Sequence, residues 1–115
     1  MKLSESLKSN KDFQKVYKNG KSFANKYLVM YIVENDLDML RVGISVSKKV
    51  GNSVVRHRIT RLIRESFRLN DYKFNSGLDI VVIARAGAKG RNYQEIESAV
   101  LHLCKLHKVV REMNE

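Results

Sequence analysis

Residues 40–69 read LRVGISVSKKVGNSVVRHRITRLIRESFRL, and the period of the apolar residues changes halfway through. In the first part Leu40, Val42, Ile44 and Val46 alternate with Arg41, Gly43, Ser45 and Ser47. Period two marks a β-strand with one buried and one polar face. Gly51 and Asn52 break the strand. From Ser53 to about Leu69 the spacing becomes helical. At 100° steps Val55, Ile59, Leu62, Ile63 and Leu69 share one side, and Arg58, Arg61, Arg64 and Arg68, with His57, share the opposite one. Arg56 falls off that stripe, near the edge of the apolar face. A strand running through a turn into an amphipathic helix predicts a mixed α and β domain.

The charge of this stretch is as informative as its period. Lys48, Lys49, Arg56, Arg58, Arg61, Arg64 and Arg68 stand against the single acid Glu65, which gives +6 of the chain's +10. A helix face that is merely solvated mixes signs, because like charges at i, i+4, such as Arg64 and Arg68, repel. A polyanion partner offsets that repulsion, since each neutralised phosphate releases a counterion. Arginine suits phosphate better than lysine because its planar fork can bind two oxygens. The preceding turn, Ser45 to Asn52, brings hydroxyls, lysines and a glycine to a helix start, a setting that can contact phosphate. It lacks the glycine spacing and the Gly-Lys-Ser/Thr ending of a P-loop.

Outward from this unit the remaining elements follow. Ser9 with Asp12 resembles a capping box, and Phe13, Val16 and Tyr17 then share one helix face. Gly20, able to take the left-handed conformation, terminates that helix. Residues turn β-like from Ser22 to Val33, and the polar run Glu34 to Asp38 predicts a turn joining this segment to Leu40–Val46 as an antiparallel hairpin. After a polar loop around Asn70–Gly77, the nearly continuous apolar run from Asp79 to Arg85 predicts a central strand buried on both faces. Gly87 to Asn92 reads as a loop. A last helix is predicted from about Tyr93 to Val110, with Ile96, Val100, Leu103, Leu106 or His107, and Val110 as its core stripe. The order α-β-β-β-α-β-α predicts an α+β two-layer sandwich: a mixed sheet of about four strands with three helices on one face, the other face partly open.

The bulk properties agree. At 115 residues and 43% hydrophobic content, with no composition break, the chain reads as a single domain over 1–115 with one core. A net charge of +10 and a pI near 9.9 point to nucleic acid or an anionic membrane surface. The run Leu78 to Ala84, interrupted by Asp79, is too short to span a bilayer. The apolar face of the basic helix has no Trp and reads as part of the core, which disfavours membrane binding. The N-terminus has no apolar segment of a secretion signal. The one cysteine, Cys104, sits in an apolar helical pattern and reads as a core residue; it can form neither an internal disulfide nor a thiolate zinc site, and a reducing, cytoplasmic compartment fits it. His57, His102 and His107 are scattered, and no acid pair or Ser/His/Asp arrangement stands out. We therefore expect no catalytic residue and no protein-held metal site; any chemistry resides elsewhere. Phe13 and Tyr17 on one helix face and Tyr31 on a strand either pack in the core or stack unpaired bases beside basic groups.

Three segments together, Lys11-Asp12-Phe13-Gln14-Lys15-Val16-Tyr17-Lys18-Asn19-Gly20, Arg41 to Arg56, and Arg58-Ile59-Thr60-Arg61-Leu62-Ile63-Arg64-Glu65, resemble the protein subunit of bacterial ribonuclease P. Asp79 to Arg85 extends the resemblance over most of the chain. The family's helix motif reads Arg-Asn-Arg, one residue, Lys-Arg, two residues, Arg-Glu; here the Asn position is His57 and the Lys position is Thr60. The resemblance implies a ribonucleoprotein endonuclease that removes the 5′ leader of precursor tRNA. In it the RNA subunit holds the active site and its Mg2+. It implies contact with the catalytic RNA at Arg56, His57, Arg58, Arg61, Arg64 and Arg68. It implies a leader cleft between the first helix and the open sheet face, with Phe13, Tyr17, Tyr31, Ser47, Lys48, Lys49 and Arg56. It also implies a left-handed strand–helix–strand crossover, a fold similar to one seen in ribosomal proteins, and no membrane or obligate protein partner. The residues alone leave a second reading open, a non-catalytic RNA-binding module of ribosomal or RNA-chaperone type.

Overall fold

The computed structural model describes residues 3–75 and 77–110, with side chains from Ser6 onward. Five strands, β1 (Leu3–Ser6), β2 (Lys21–Ala24), β3 (Leu28–Glu34), β4 (Leu40–Ser45) and β5 (Leu78–Ala84), form one sheet in the order β1-β4-β5-β3-β2. Among the described residues three α-helices accompany it: α1 (Asn10–Asn19), α2 (Ser53–Asn70) and α3 (Tyr93–Leu106). The sheet is mixed: β1 and β5 run parallel to β4, whereas β3 is antiparallel to both β5 and β2. The expected order of elements is present, with β1 added ahead of it.

The β-like run from Ser22 to Val33 divides into the hairpin β2–β3. Asn25 closes its turn: Oδ1 accepts the N–H groups of Tyr27 (3.1 Å) and Leu28 (2.9 Å). Its Nδ2 donates to the Ala99 carbonyl at 3.1 Å, tying the turn to α3. The expected hairpin between β3 and β4 does not form, because β5 lies between them. The physical reason is β5 itself. Val81 and Val82 are each fully buried and point to opposite faces, so this strand needs cover on both sides and neighbours on both edges.

The two faces of the sheet carry two apolar clusters. The larger joins Leu28, Met30 and Ile32 of β3, Leu40 and Val42 of β4, and Ile80 and Val82 of β5 to α2 and α3. The smaller joins Leu7, Val16 and Val81 to Phe13, Tyr17, Tyr31, Val33 and Ile83. Thus α1 lies on the face opposite α2 and α3, not beside them as the two-layer reading placed it. The face it partly covers remains open toward the C-terminal ends of β4 and β5.

Helix boundaries follow local chemistry. Ser9 Oγ accepts the Asp12 N–H at 3.1 Å, and Asn52 Oδ1 accepts the Val55 N–H at 2.9 Å, so both caps satisfy otherwise free helix donors. Gly20 ends α1, but with φ −84° and not in the left-handed region. Its glycine is required by proximity: a Cβ there would lie 2.5 Å from the Val16 carbonyl oxygen. In α2 the core line is Ile59, Ile63 and Phe67, and Leu69, assigned to the core from spacing, is 47% exposed. Phe67 instead stacks on Phe74 at 5.3 Å. α3 stops at Leu106, four residues early, because Lys108 takes φ 60° and turns the chain so that Val110 bridges Phe74. Of the two candidates at the helix end, Leu106 is exposed and His107 is the half-buried one. His107 Nε2 lies 3.0 Å from the Met30 carbonyl, which requires the proton on Nε2. Burial lowers its pKa, against that hydrogen bond. Cys104 is buried, which pushes its thiol pKa up.

Among the described residues one charged side chain is buried within the sheet. Asp79 at the start of β5 is 2% exposed. Arg41 on β4 grips it with two bonds, Nε to Oδ1 at 2.8 Å and Nη2 to Oδ2 at 2.7 Å. Asn35 Nδ2 donates to Oδ1 at 2.7 Å and so binds the β3–β4 connection to the same carboxylate. Removing one partner of a buried ion pair costs roughly 3–5 kcal/mol. We expect Asp79→Ala to lower the unfolding free energy in urea by about that amount; a loss under about 1 kcal/mol would show that the bridge does not hold the β3–β4–β5 order.

Candidate nucleic-acid interface

The N-cap at Asn52 starts α2 directly after the turn that leaves β4, and the buried line Ile59–Ile63–Phe67 fixes the rotation of the helix. That rotation turns His57, Arg58, Arg61 and Arg68 outward, where with Ser53, Val54, Leu62, Arg64 and Glu65 they line a shallow open groove along the helix. Val54 is 75% exposed in its first turn. The arginines of this face are not equivalent. Arg58 Nη1 donates to the Arg91 carbonyl at 3.0 Å, leaning toward α3. Arg64 is half-buried and leans the other way, donating Nη1 to Ser6 Oγ on β1 at 2.7 Å. Arg68 binds Glu65 through Nε at 2.9 Å, and Glu65 is accordingly held below the usual carboxylate pKa. Arg61 has no protein partner among the described residues. Spacing put Arg58, Arg61, Arg64 and Arg68 on one stripe; the structure spreads them over the outer half of the helix, with Arg64 at one flank.

Arg56 stands apart, as its angle predicts. It is half-buried in the first turns of the helix, and its Nε is buried with no acceptor among the described residues. A buried donor without a partner is costly, which sets Arg56 apart from the exposed arginines of the helix. Thr60, at the position where the family motif carries lysine, turns its hydroxyl back onto the Arg56 carbonyl at 2.9 Å. It braces the helix and adds nothing to the basic face.

On the other side of the sheet Phe13, Tyr17 and Tyr31 come together as a chain of edge-to-face rings, with centroids 6.3 Å and 5.1 Å apart. All three are half-buried. Burial, and next the neighbouring Tyr31, raise the pKa of Tyr17, so its hydroxyl stays a neutral donor. The sheet register explains the arrangement. Tyr31, Val81 and Gly43 lie in one row across β3, β5 and β4. A Cβ on Gly43 would lie 2.6 Å from Phe13 Cζ, so glycine lets that ring rest against the strand. The next row on this face, Val29, Ile83 and Ser45, lies two residues or roughly 7 Å further along and is only half-buried. Val29 and Ile83 were not singled out from the sequence, and Ser45 only as part of the Ser45–Asn52 turn; the pairing of β4 and β3 with β5 places all three on the open face. Ser47, Lys48 and Lys49 follow from the end of β4, all exposed. The result is a trough with an apolar floor, aromatic side wall and cationic rim, beside a separate basic helix face. Such an arrangement suits an unpaired strand in the trough, since bases stack on rings while cations follow the backbone.

A small α+β domain with a same-sign helix on one side and an aromatic, half-covered sheet on the other has the architecture of a nucleic-acid-binding domain. Comparison with known proteins gives the family. The Ribonuclease P family profile matches residues 1–108. The ribonuclease P protein component of Lachnoclostridium phytofermentans is 71% identical over 108 residues, covering 94% of this chain and 93% of that protein. That of Alkaliphilus metalliredigens is 53% identical over 110 residues, covering 96% and 99%. Among solved structures, the Staphylococcus aureus RNase P protein superposes with a TM-score of 0.87 at 42% identity over 94% of this chain and 99% of the other. The Thermotoga maritima RNase P protein gives 0.82 at 34% identity, covering 90% and 97%. The chain belongs to the ribonuclease P protein family, and its role lies in tRNA processing.

Proposed function

We propose that this chain is the protein subunit of a ribonucleoprotein ribonuclease P and assists endonucleolytic removal of the 5′ leader from precursor tRNA. The catalytic RNA docks on the exposed face of α2, and the single-stranded leader lies in the trough between α1 and the sheet. The observation that carries this reading is the division of the surface: a helix face of cations with one carboxylate, Glu65, among them on one side of the sheet, a chain of half-buried rings on the other. Arg56, half-buried and with no acceptor for its Nε among the described residues, serves both surfaces in this reading. In this reading the RNA subunit performs the hydrolysis and holds the magnesium. The protein supplies affinity and position. We place the complex in the cytoplasm, on the reduced, lone Cys104. No helix among the described residues is long and apolar enough to cross a membrane.

The two surfaces separate by mutation. Arg61→Glu, at a side chain with no protein partner among the described residues, should weaken binding of the catalytic RNA about tenfold or more. It should also lower the slope of log affinity against log salt by roughly one per lost phosphate contact. An unchanged affinity in low salt would remove α2 from the RNA interface. Tyr17→Ala and Tyr31→Ala should instead weaken holoenzyme binding of precursor tRNA, by about 1–3 kcal/mol where a base stacks, and leave mature tRNA unaffected. Equal losses for the two substrates would eliminate the trough as the leader site.

A further inference from the structure

A second cluster of cations, which neither surface above includes, surrounds Tyr27 at the end of β5. The connection from β5 to α3 carries Arg85, Lys89 and Arg91, and Lys26 lies across from it on the β2–β3 turn. The Arg91 guanidinium sits over the Tyr27 ring at 5.0 Å and Lys26 Nζ at 5.4 Å. The loop is folded tightly around them. Arg85 takes the Tyr27 carbonyl with its backbone N–H and the Asn25 carbonyl with Nη1, both at 2.8 Å. Arg91 Nε donates to the Gly87 carbonyl at 3.1 Å, and a Cβ on Gly87 would lie 2.7 Å from the Lys26 carbonyl oxygen. The tip is open: Gly90 takes φ +81°, and a Cβ there would meet nothing within 4 Å.

Two features make this more than a braced loop. Lys26, Arg85 and Lys89 are exposed, and among the described residues the one carboxylate paired with the cluster is Glu95, through Arg91 at 3.5 Å. Glu95 is itself engaged in the α3 capping box, accepting the Asn92 N–H at 3.0 Å. Such crowding of like charge favours an anionic occupant. The cluster is also continuous with α2, because Arg58, which lines the α2 groove, donates to the Arg91 carbonyl.

We propose that the Tyr27 cluster extends the α2 surface and grips a stretch of phosphate backbone of the catalytic RNA, with Lys26 and Lys89 as its contacts and Arg91, stacked on Tyr27, as the positioning residue. This rests on the reading that α2 faces that RNA. The test is equilibrium binding of a transcribed bacterial ribonuclease P RNA over a salt series, with wild type, the double variant Lys26→Ala/Lys89→Ala, and Arg61→Glu. Both lysines are exposed, so the fold should survive their loss. The proposal expects the double variant to lose about tenfold or more in affinity and about two units of salt slope, with the preference for precursor over mature tRNA unchanged. It is overturned if the double variant binds as wild type does while Arg61→Glu binds weakly. It is equally overturned if the double variant loses leader preference and keeps its RNA affinity, which would give the cluster to the substrate. If Arg61→Glu is also silent, the α2 reading fails and this proposal fails with it.

Discussion

Everything in this fold depends on β5 being covered on both faces. Its residues are apolar in both directions, with Ile80 and Val82 toward α2 and α3 and Val81 and Ile83 toward α1. A strand of that kind cannot sit at an edge or leave a face in water, so it inserts between β3 and β4 and separates segments that are neighbours in sequence. The same requirement divides the helices between the two sides. Two of them close one face. One short helix, of ten residues, cannot close the other, and the uncovered remainder is the trough. The buried Asp79–Arg41–Asn35 group fixes this order at the opposite end of the strands, where a carboxylate in a sheet is tolerable only when fully bonded.

The electrostatics of α2 follow from the same layering. A helix packed by Ile59, Ile63 and Phe67 must present its remaining residues to the flanks and to solvent, and here those residues are cations. The chain moderates their repulsion with neutral acceptors at the flanks, the Arg91 carbonyl for Arg58 and the Ser6 hydroxyl for Arg64, and with a single carboxylate, Glu65, for Arg68. Arg61 and His57 remain facing out. Exposed ion pairs contribute little, about 0–1 kcal/mol, so stability alone gives no reason for this face; a polyanion does.

What was legible in the sequence was local. The start of α1 was legible at Ser9, whose side chain caps a donor three residues away, and the span of α2 follows from a period that needs no tertiary information. The two-sided burial of β5 was legible because its apolar run has no alternation. What was not legible was non-local. Nothing in Leu28–Glu34 or Leu40–Ser45 records that a strand some forty residues later will lie between them, and nothing in α1 records which face it covers. Leu69 was misplaced because a wheel cannot tell which flank of an apolar stripe a neighbouring helix will cover; Phe67, nearer the stripe's centre, took the core. At the site, the family motif and the aromatics pointed to Phe13, Tyr17, Tyr31 and the arginines. The floor of the trough, Val29, Ile83 and Ser45, emerges only once the register is known.

The central claim is that this domain makes a catalytic RNA effective without doing chemistry itself. Its most direct measurement is single-turnover cleavage of precursor tRNA by a bacterial ribonuclease P RNA at low magnesium, with and without the protein. The account predicts that the RNA alone is nearly inactive there, that the protein restores cleavage at the mature 5′ end, and that the protein without RNA cleaves nothing. Tight binding of the RNA with no restored cleavage, or cleavage at that site by the protein alone, would contradict it.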